Sequence, residues 1–301
     1  MQALVTGARG FVGPHLVAAL QRDGAAVHEY NGSLGDIEAM RNALDAFRPT
    51  VVFHLAAQTF VPDALATPLE TYDANVLGTA RLAQAVREYT GEPRPRLVFA
   101  SSAEVYGARD AGEYPLRETL GLRPTNPYGA SKAAAEAILL GEASGFGTDV
   151  VIARAFNHIG PGQREHFVVA SLAAQLARIA GGGSPLLFVG NLTAARDFLD
   201  VRDVVEAYLA LARDGERGQV YNVCSGRAVT IRDVLRELIT IARVPVEVRE
   251  DPARVRAVEI PLSVGDPAKL RERTGWTPQV PLVRSLRDAY DAERAKLAAV
   301  P

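Results

Sequence analysis

Tyr128 and Lys132 stand four residues apart in Pro127-Tyr128-Gly129-Ala130-Ser131-Lys132. Proline is tolerated at the first position of a helix, so Pro127 predicts a helix start there. The two side chains then share one face about one turn apart. A phenol has an ordinary pKa of about 10, and a neighbouring ammonium is expected to lower it by favouring the phenolate. Such a pair lets tyrosine act as an acid or base near neutral pH. Ser102 closes the apolar run Leu97-Val98-Phe99-Ala100-Ser101-Ser102, which reads as a buried strand. From the end of that strand its hydroxyl would meet the same substrate oxygen. Tyr-x-x-x-Lys is also the spacing of an ordinary exposed helical pair, so its weight depends on the rest of the chain.

The start of the chain supplies that weight. Gln2 to Thr6 reads as a short apolar strand, and Gly7-Ala8-Arg9-Gly10-Phe11-Val12-Gly13 follows it. Leu16, Val17 and Leu20 then set a helical pattern. Strand, glycine-rich turn and helix together form a dinucleotide fingerprint. The glycines let the backbone approach a pyrophosphate, and the helix N-terminus offers free N–H groups and a favourable dipole. A second strand, Ala26 to Tyr30, ends at Asn31, where the fingerprint usually carries an acid for the ribose hydroxyls. An amide neither repels a 2′-phosphate nor demands its absence, so NADPH and NADH both stay open. Arg9 is a candidate contact for such a phosphate.

Asp36 is the expected N-cap of a helix opening at Ile37 and running through Leu44, and a candidate adenine contact. Val51 to Gln58 is the next strand and its exit, with Leu55, Ala56 and Ala57 letting a cofactor pass over the strand end. Residues 69–90 read as a helix carrying Asn75. Strands alternate with helices through this half, the signature of a parallel doubly wound sheet. Gly160-Pro161-Gly162 breaks the pattern and marks a passage into a second unit. The expected organisation is an α/β fold. Residues 1–158 would form a Rossmann-type dinucleotide domain and 159–301 a smaller C-terminal α/β substrate domain. A helix near 203–213 would pack back on the first. Trp276 reads as a packing residue.

Composition removes several alternatives. The net charge is −2 with both signs scattered, which suits neither a nucleic-acid nor a membrane surface. No leader segment and no apolar run of about 18 residues for a membrane span is visible, so a cytoplasmic protein is expected. Cys224 is the only cysteine, so no internal disulfide is possible. The five histidines show no metal-ligand spacing, and no metal is expected.

Taken together, these residues resemble the extended short-chain dehydrogenase/reductase family across nearly the whole chain. The carrying motifs are Gly7-x-x-Gly10-x-x-Gly13, Asp36-Ile37, Leu55-Ala56-Ala57, Asn75-x-x-Gly78-Thr79, Ser101-Ser102, Tyr128-x-x-x-Lys132 and Gly275-Trp276-x-Pro278. The resemblance implies that Tyr128 is the catalytic acid/base, Lys132 holds the nicotinamide ribose and Ser102 binds the reacting oxygen. Asn75 would support the site from its helix, and the chain would pair as a homodimer through a four-helix interface.

Within the family, the resemblance is greatest to members that reduce the C4 ketone of a GDP-linked 4-keto-6-deoxy sugar. Phe156-Asn157-His158-Ile159-Gly160-Pro161-Gly162-Gln163, Gly190-Asn191-Leu192, Arg196-Asp197-Phe198-Leu199-Asp200 and Val264-Gly265-Asp266-Pro267 carry it. It implies sugar-nucleotide contacts at Ala103, Glu104, Asn157, Arg196, Arg256 and Glu259, the arginines for the diphosphate. Three positions depart from the family pattern. Ala155 stands where a proline is usual, Ala103 where a polar residue is usual, and Arg256-Ala257-Val258-Glu259 lacks the usual proline. Glu104 matches the C5 base of the related 4,6-dehydratases, so a dehydratase or epimerase stays open beside the reductase. A dinucleotide-sensing binding protein on the same fold is the non-enzymatic alternative.

Overall fold

The computed structural model describes residues 1–254 and 260–298. The first half runs β1 (Gln2–Thr6), α1 (Val12–Arg22), β2 (Ala26–Tyr30), α2 (Ile37–Phe47) and β3 (Val51–His54). It continues through α3 (Val61–Ala66), α4 (Pro68–Tyr72), a π turn (Asp73–Leu77), α5 (Gly78–Glu88), β4 (Arg96–Ser102), α6 (Pro127–Phe146) and β5 (Val150–Ala155). The second half holds β6 (Asn157–Ile159), α7 (Val168–Ala180), β7 (Leu186–Val189), β8 (Ala195–Asp200), α8 (Val201–Asp214) and β9 (Gln219–Val223). β10 (Ala228–Thr230), α9 (Ile231–Ala242), β11 (Glu247–Glu250), β12 (Leu262–Ser263), α10 (Ala268–Thr274) and α11 (Leu282–Ala298) follow.

Six strands form one parallel sheet in the order β2-β1-β3-β4-β5-β9. The central strands are apolar at nearly every position because both faces are covered. On one face Leu16, Leu20, Val204, Tyr208 and Leu211 bury against Val5, Phe53 and Val151. On the other, Met40, Leu44, Leu82, Val86 and Leu139 bury against Leu4, Val52 and Phe99. The chain leaves β1 towards β2, then resumes on the other side at β3. That reversal makes the crevice over the carboxyl ends of β1 and β3 the ligand position of an open parallel sheet.

β9 closes the sheet beside β5, and α8, Leu270 and Trp276 lie in its core, so parts of the second half return to the first sheet. Trp276 is buried and donates its indole N–H to Asp203 O at 3.1 Å, the packing role read from the sequence. A second core gathers α7, α9, α11, β7 and β8 around Leu176, Leu238 and Tyr290. β8 pairs with β6, β10 and β12.

Candidate active site

The glycine turn is built for close approach of a ligand. Gly7 has φ +72°, and a Cβ there would lie 2.6 Å from Ala56 N. A Cβ on Gly13 would lie 2.1 Å from Ala8 O, which lets α1 start tight against the turn. Gly10 donates to Gly7 O at 3.0 Å and is exposed. The N-cap residue Phe11 contributes no side-chain cap, and the first turn has no acidic residue. Val12 opens α1 directly after the turn, so this helix end has orphan N–H groups that no side chain of its N-cap satisfies. Arg9 is exposed on the same turn. Leu55, Ala56 and Ala57 leave β3 beside it, with Leu55 N bonded to Thr6 O at 3.2 Å. This open cradle, with its uncapped helix start, fits a dinucleotide pyrophosphate.

Asn31 is exposed just past β2, its amide donating to Glu29 O at 3.1 Å. Asp36 caps α2 by accepting from Ala39 N at 3.0 Å, and Ile37 is the first residue of that helix.

β4 and α6 bring the candidate catalytic side chains together. Asn126 is the N-cap of α6, its side chain accepting from Gly129 N at 2.8 Å. Pro127 takes the first helical position, where it sacrifices no hydrogen bond. Tyr128 and Lys132 are both buried. Lys132 Nζ donates to Ala100 O at 2.7 Å and sits 4.6 Å from the centre of the Phe99 ring. Ser102 ends β4 and accepts from Glu104 N at 3.2 Å. Ala103 and Glu104 form the single turn between Ser102 and the loop to α6.

The expected lowering of the tyrosine pKa is corrected here. Burial pushes Tyr128 up to about 12, the hydrogen bond with Ser102 opposing it and the Glu104 carboxylate adding to it. Burial also brings Lys132 down to about 7, with Glu136 acting the other way. Desolvation sets the direction for both groups, because both side chains are buried. Tyr128 is thus held protonated, the form of a proton donor.

The sequence reading missed the Glu136–Arg154 network beneath these groups. Glu136, one turn after Lys132, is buried in an ion pair with Arg154 at 2.7 Å and also accepts from Ser101. Arg154 donates to the Tyr106 hydroxyl at 2.9 Å, and Tyr106 to Asn222 Oδ1 at 2.7 Å. Asn75 lies buried in the π turn, where Gly78 N bonds to Asp73 O. Its amide donates to Ser131 Oγ at 2.9 Å. A glutamate and an arginine each inside an apolar pattern were the only signals of the first network.

The remaining candidates lie on the second unit. Ala155 pairs with Ser102 across β5 and β4, so Asn157, two residues on, lies near the end of β4 that carries Ser102, and it is exposed. Asn157 pairs with Phe198 in β8, two residues from Arg196. Arg196 is half-buried and donates to Ala195 O at 2.9 Å. The structure therefore brings Asn157 and Arg196 to adjoining strands. Arg256 and Glu259 lie outside the described residues.

A Rossmann sheet, a glycine cradle at its switch point and a half-buried serine beside a buried tyrosine and lysine define an extended short-chain dehydrogenase/reductase. The model of the GDP-mannose 4,6-dehydratase family matches residues 29–289. The chain belongs to that family. It is 43% identical to the GDP-6-deoxy-D-mannose reductase of Pseudomonas aeruginosa over 296 residues, 94% of each chain. It is 27% identical to a GDP-mannose 4,6-dehydratase of Yersinia enterocolitica, over 98% of this chain and 95% of that one. Among solved structures, RMD from Pseudomonas aeruginosa complexed with NADPH superposes with TM-score 0.92 at 39% identity, covering 98% of this chain and 99% of that one. A Thermus thermophilus UDP-glucose 4-epimerase complexed with NAD gives 0.86 at 33%, with the same coverage.

Proposed function

We propose that this enzyme reduces the C4 ketone of GDP-4-dehydro-6-deoxy-D-mannose to GDP-6-deoxy-D-mannose (GDP-D-rhamnose) in the cytoplasm, with NADPH or NADH. The observation that carries the reading is the likeness to a reductase of that product along 94% of both chains, with the reacting set intact. Reduced nicotinamide supplies the hydride when bound. Tyr128, kept protonated by burial, donates its proton to the C4 oxygen as charge grows there. Ser102 adds a hydrogen bond to the same oxygen, worth more in a water-poor site than in solvent. Lys132, fixed by Ala100 O, holds the ribose and steadies the phenolate left on Tyr128. Arg9 and Asn31 border the adenosine ribose in this reading, and Asp36-Ile37 the adenine. Arg196 and Arg256 bind the diphosphate, because a planar fork suits phosphate. Asn157, Glu259 and the Ala103-Glu104 turn bind the sugars.

We also infer a homodimer. Leu69, Tyr72, Val76 and Leu77 line a groove of about 560 Å³ with Ala130 and Ala134 of α6. Leu69 is 79% exposed and Leu77 49%. Gly141 continues the α6 face, and a Cβ there would meet nothing. Isolated glycine in a helix is destabilising by about 0.5–1 kcal/mol relative to alanine, which a close-packed second copy would offset. Leu69→Glu should yield a monomer by light scattering; an unchanged mass would refute this face.

The reaction is tested by adding the purified enzyme to GDP-4-dehydro-6-deoxy-D-mannose with reduced cofactor. One cofactor oxidised per sugar, with the 6-deoxy product identified by NMR, is expected. Dehydration of GDP-mannose without net cofactor oxidation would make the enzyme a dehydratase instead.

A further inference from the structure

His54 ends β3 in the middle of the sheet and is fully buried. One direction of hydrogen bonding uses every donor and acceptor around it. The Thr79 hydroxyl donates to Asn75 O at 2.6 Å. Thr79 Oγ1 is then the acceptor for His54 Nε2, 2.9 Å away, so Nε2 carries a proton. At the other end Thr6 Oγ1 accepts from Ala56 N at 3.3 Å. The Thr6 proton then goes to His54 Nδ1, 2.7 Å away, so Nδ1 is bare. Burial and the charge of Lys132 both oppose a second proton on the ring and bring its pKa down to about 3. Phe99 packs on the ring with centroids 5.5 Å apart.

The chain of bonds joins two parts of the site. Thr6 and Ala56 border the glycine cradle. Asn75 sits in the π turn, where its side chain accepts from Gln58 N at 2.8 Å and donates to Ser131 Oγ at 2.9 Å. The Ser131 hydroxyl donates to Tyr128 O at 2.7 Å. We propose that His54 is a positioning residue for the reduction: as the neutral Nε2–H tautomer it locks Asn75, and through Ser131 the main chain of Tyr128, to the strand ends that border the cofactor. Its kinetic consequence rests on the reductase reading; its tautomer does not.

Nitrogen-15 NMR of the imidazole in the ligand-free enzyme at neutral pH tests the geometry with no substrate present. A protonated Nε2 with a bare Nδ1 is expected. A protonated Nδ1 overturns the proposal whatever the reaction is. Kinetics tests the consequence. His54→Phe keeps a ring beside Phe99 but makes no hydrogen bond. It should lower kcat about tenfold or more, with cofactor affinity and KM nearly unchanged. Thr79→Val should reproduce that loss, and Thr79→Ser, which keeps the hydroxyl, should recover most of it. A folded His54→Phe enzyme with kcat within about twofold of the parent refutes the role. So does a parallel fall of kcat, cofactor affinity and melting temperature, which would mark a purely structural residue. If His54→Phe does not fold, the Thr79 pair decides by the same criteria.

Discussion

Asn126 donates a 2.8 Å hydrogen bond to the Glu104 carboxylate, and the same asparagine caps the helix that carries Tyr128. Glu104 thus holds the N-terminus of α6 as well as bordering Tyr128. A C5 base must be an ionised carboxylate, whereas a brace for Asn126 needs only an acceptor oxygen. Glu104→Gln keeps that oxygen. Turnover of the keto sugar by Glu104→Gln is expected to stay within about tenfold of the parent, the range for losing one charge-assisted hydrogen bond. Glu104→Leu leaves the Asn126 amide unpaired and should lose more. Loss of all turnover in the glutamine variant would make Glu104 a catalytic base.

Lys132 and Tyr128 give the enzyme a definite pH signature. Tyr128, pushed up to about 12, keeps its proton throughout the working range. Lys132, brought down to about 7, is charged only below that pH in the free enzyme. On the reductase reading, kcat/KM should be level below about pH 7 and fall above it. The stability effect has the opposite slope. The folded state binds the Lys132 proton less tightly than the unfolded chain, whose ordinary value is 10.5. Its contribution to stability therefore rises between about pH 7 and 10.5, and the cost of burying the charge is complete below that window. Lys132→Met removes the cost. This variant should be inactive yet melt no lower than the parent at pH 6, as read by calorimetry. A lower melting temperature would mean that the bond to Ala100 O outweighs the desolvation.

The candidate catalytic set and the glycine turn were legible in the sequence as local patterns. Tyr128 and Lys132 are one helical turn apart, and Gly7, Gly10 and Gly13 lie in one strand–turn–helix unit. What escaped depends on contacts between distant segments. The sheet takes β9 from residues 219–223, and no local pattern says that a strand will return past a whole intervening unit. The direction of the Tyr128 shift follows from burial created by folding, which the four-residue spacing does not encode. His54 read as a lone histidine without metal spacing. Its partners Thr6 and Thr79 lie 48 and 25 residues away, so only the folded sheet makes it the centre of a network.

Gly10 separates cofactor binding from folding. A side chain at Gly7 or Gly13 would run into backbone at 2.6 or 2.1 Å, so substitutions there confound the two. A Cβ on Gly10 meets only Gly7 O, at 3.2 Å, a close approach that a small backbone shift relieves. Gly10→Val is expected to fold, with a circular dichroism spectrum and melting temperature close to the parent's. Its affinity for reduced cofactor, measured by fluorescence titration, should fall at least about tenfold because the pyrophosphate loses close approach to the turn. Unchanged affinity in the folded variant would move the pyrophosphate away from this turn.

Asn31 tests which cofactor the crevice prefers. It stands exposed at the end of β2 with Arg9 exposed on the neighbouring turn, a neutral and a cationic group where the fingerprint usually places a carboxylate. A 2′-phosphate there meets no repulsion, and Arg9 offers it a fork of donors. Asn31→Asp adds a negative charge close to that phosphate. A pair of like charges near a surface costs on the order of 1 kcal/mol after screening, which is close to a tenfold change in affinity. The ratio of kcat/KM for NADPH to that for NADH should therefore fall about tenfold in Asn31→Asp, most of it through weaker use of NADPH. Arg9→Ala should move the ratio the same way, because it removes the attraction rather than adding a repulsion. High salt should shrink both effects, since the groups are exposed. If neither substitution changes the ratio, the ribose lies beyond Asn31, and the preference is set by other residues around the cradle.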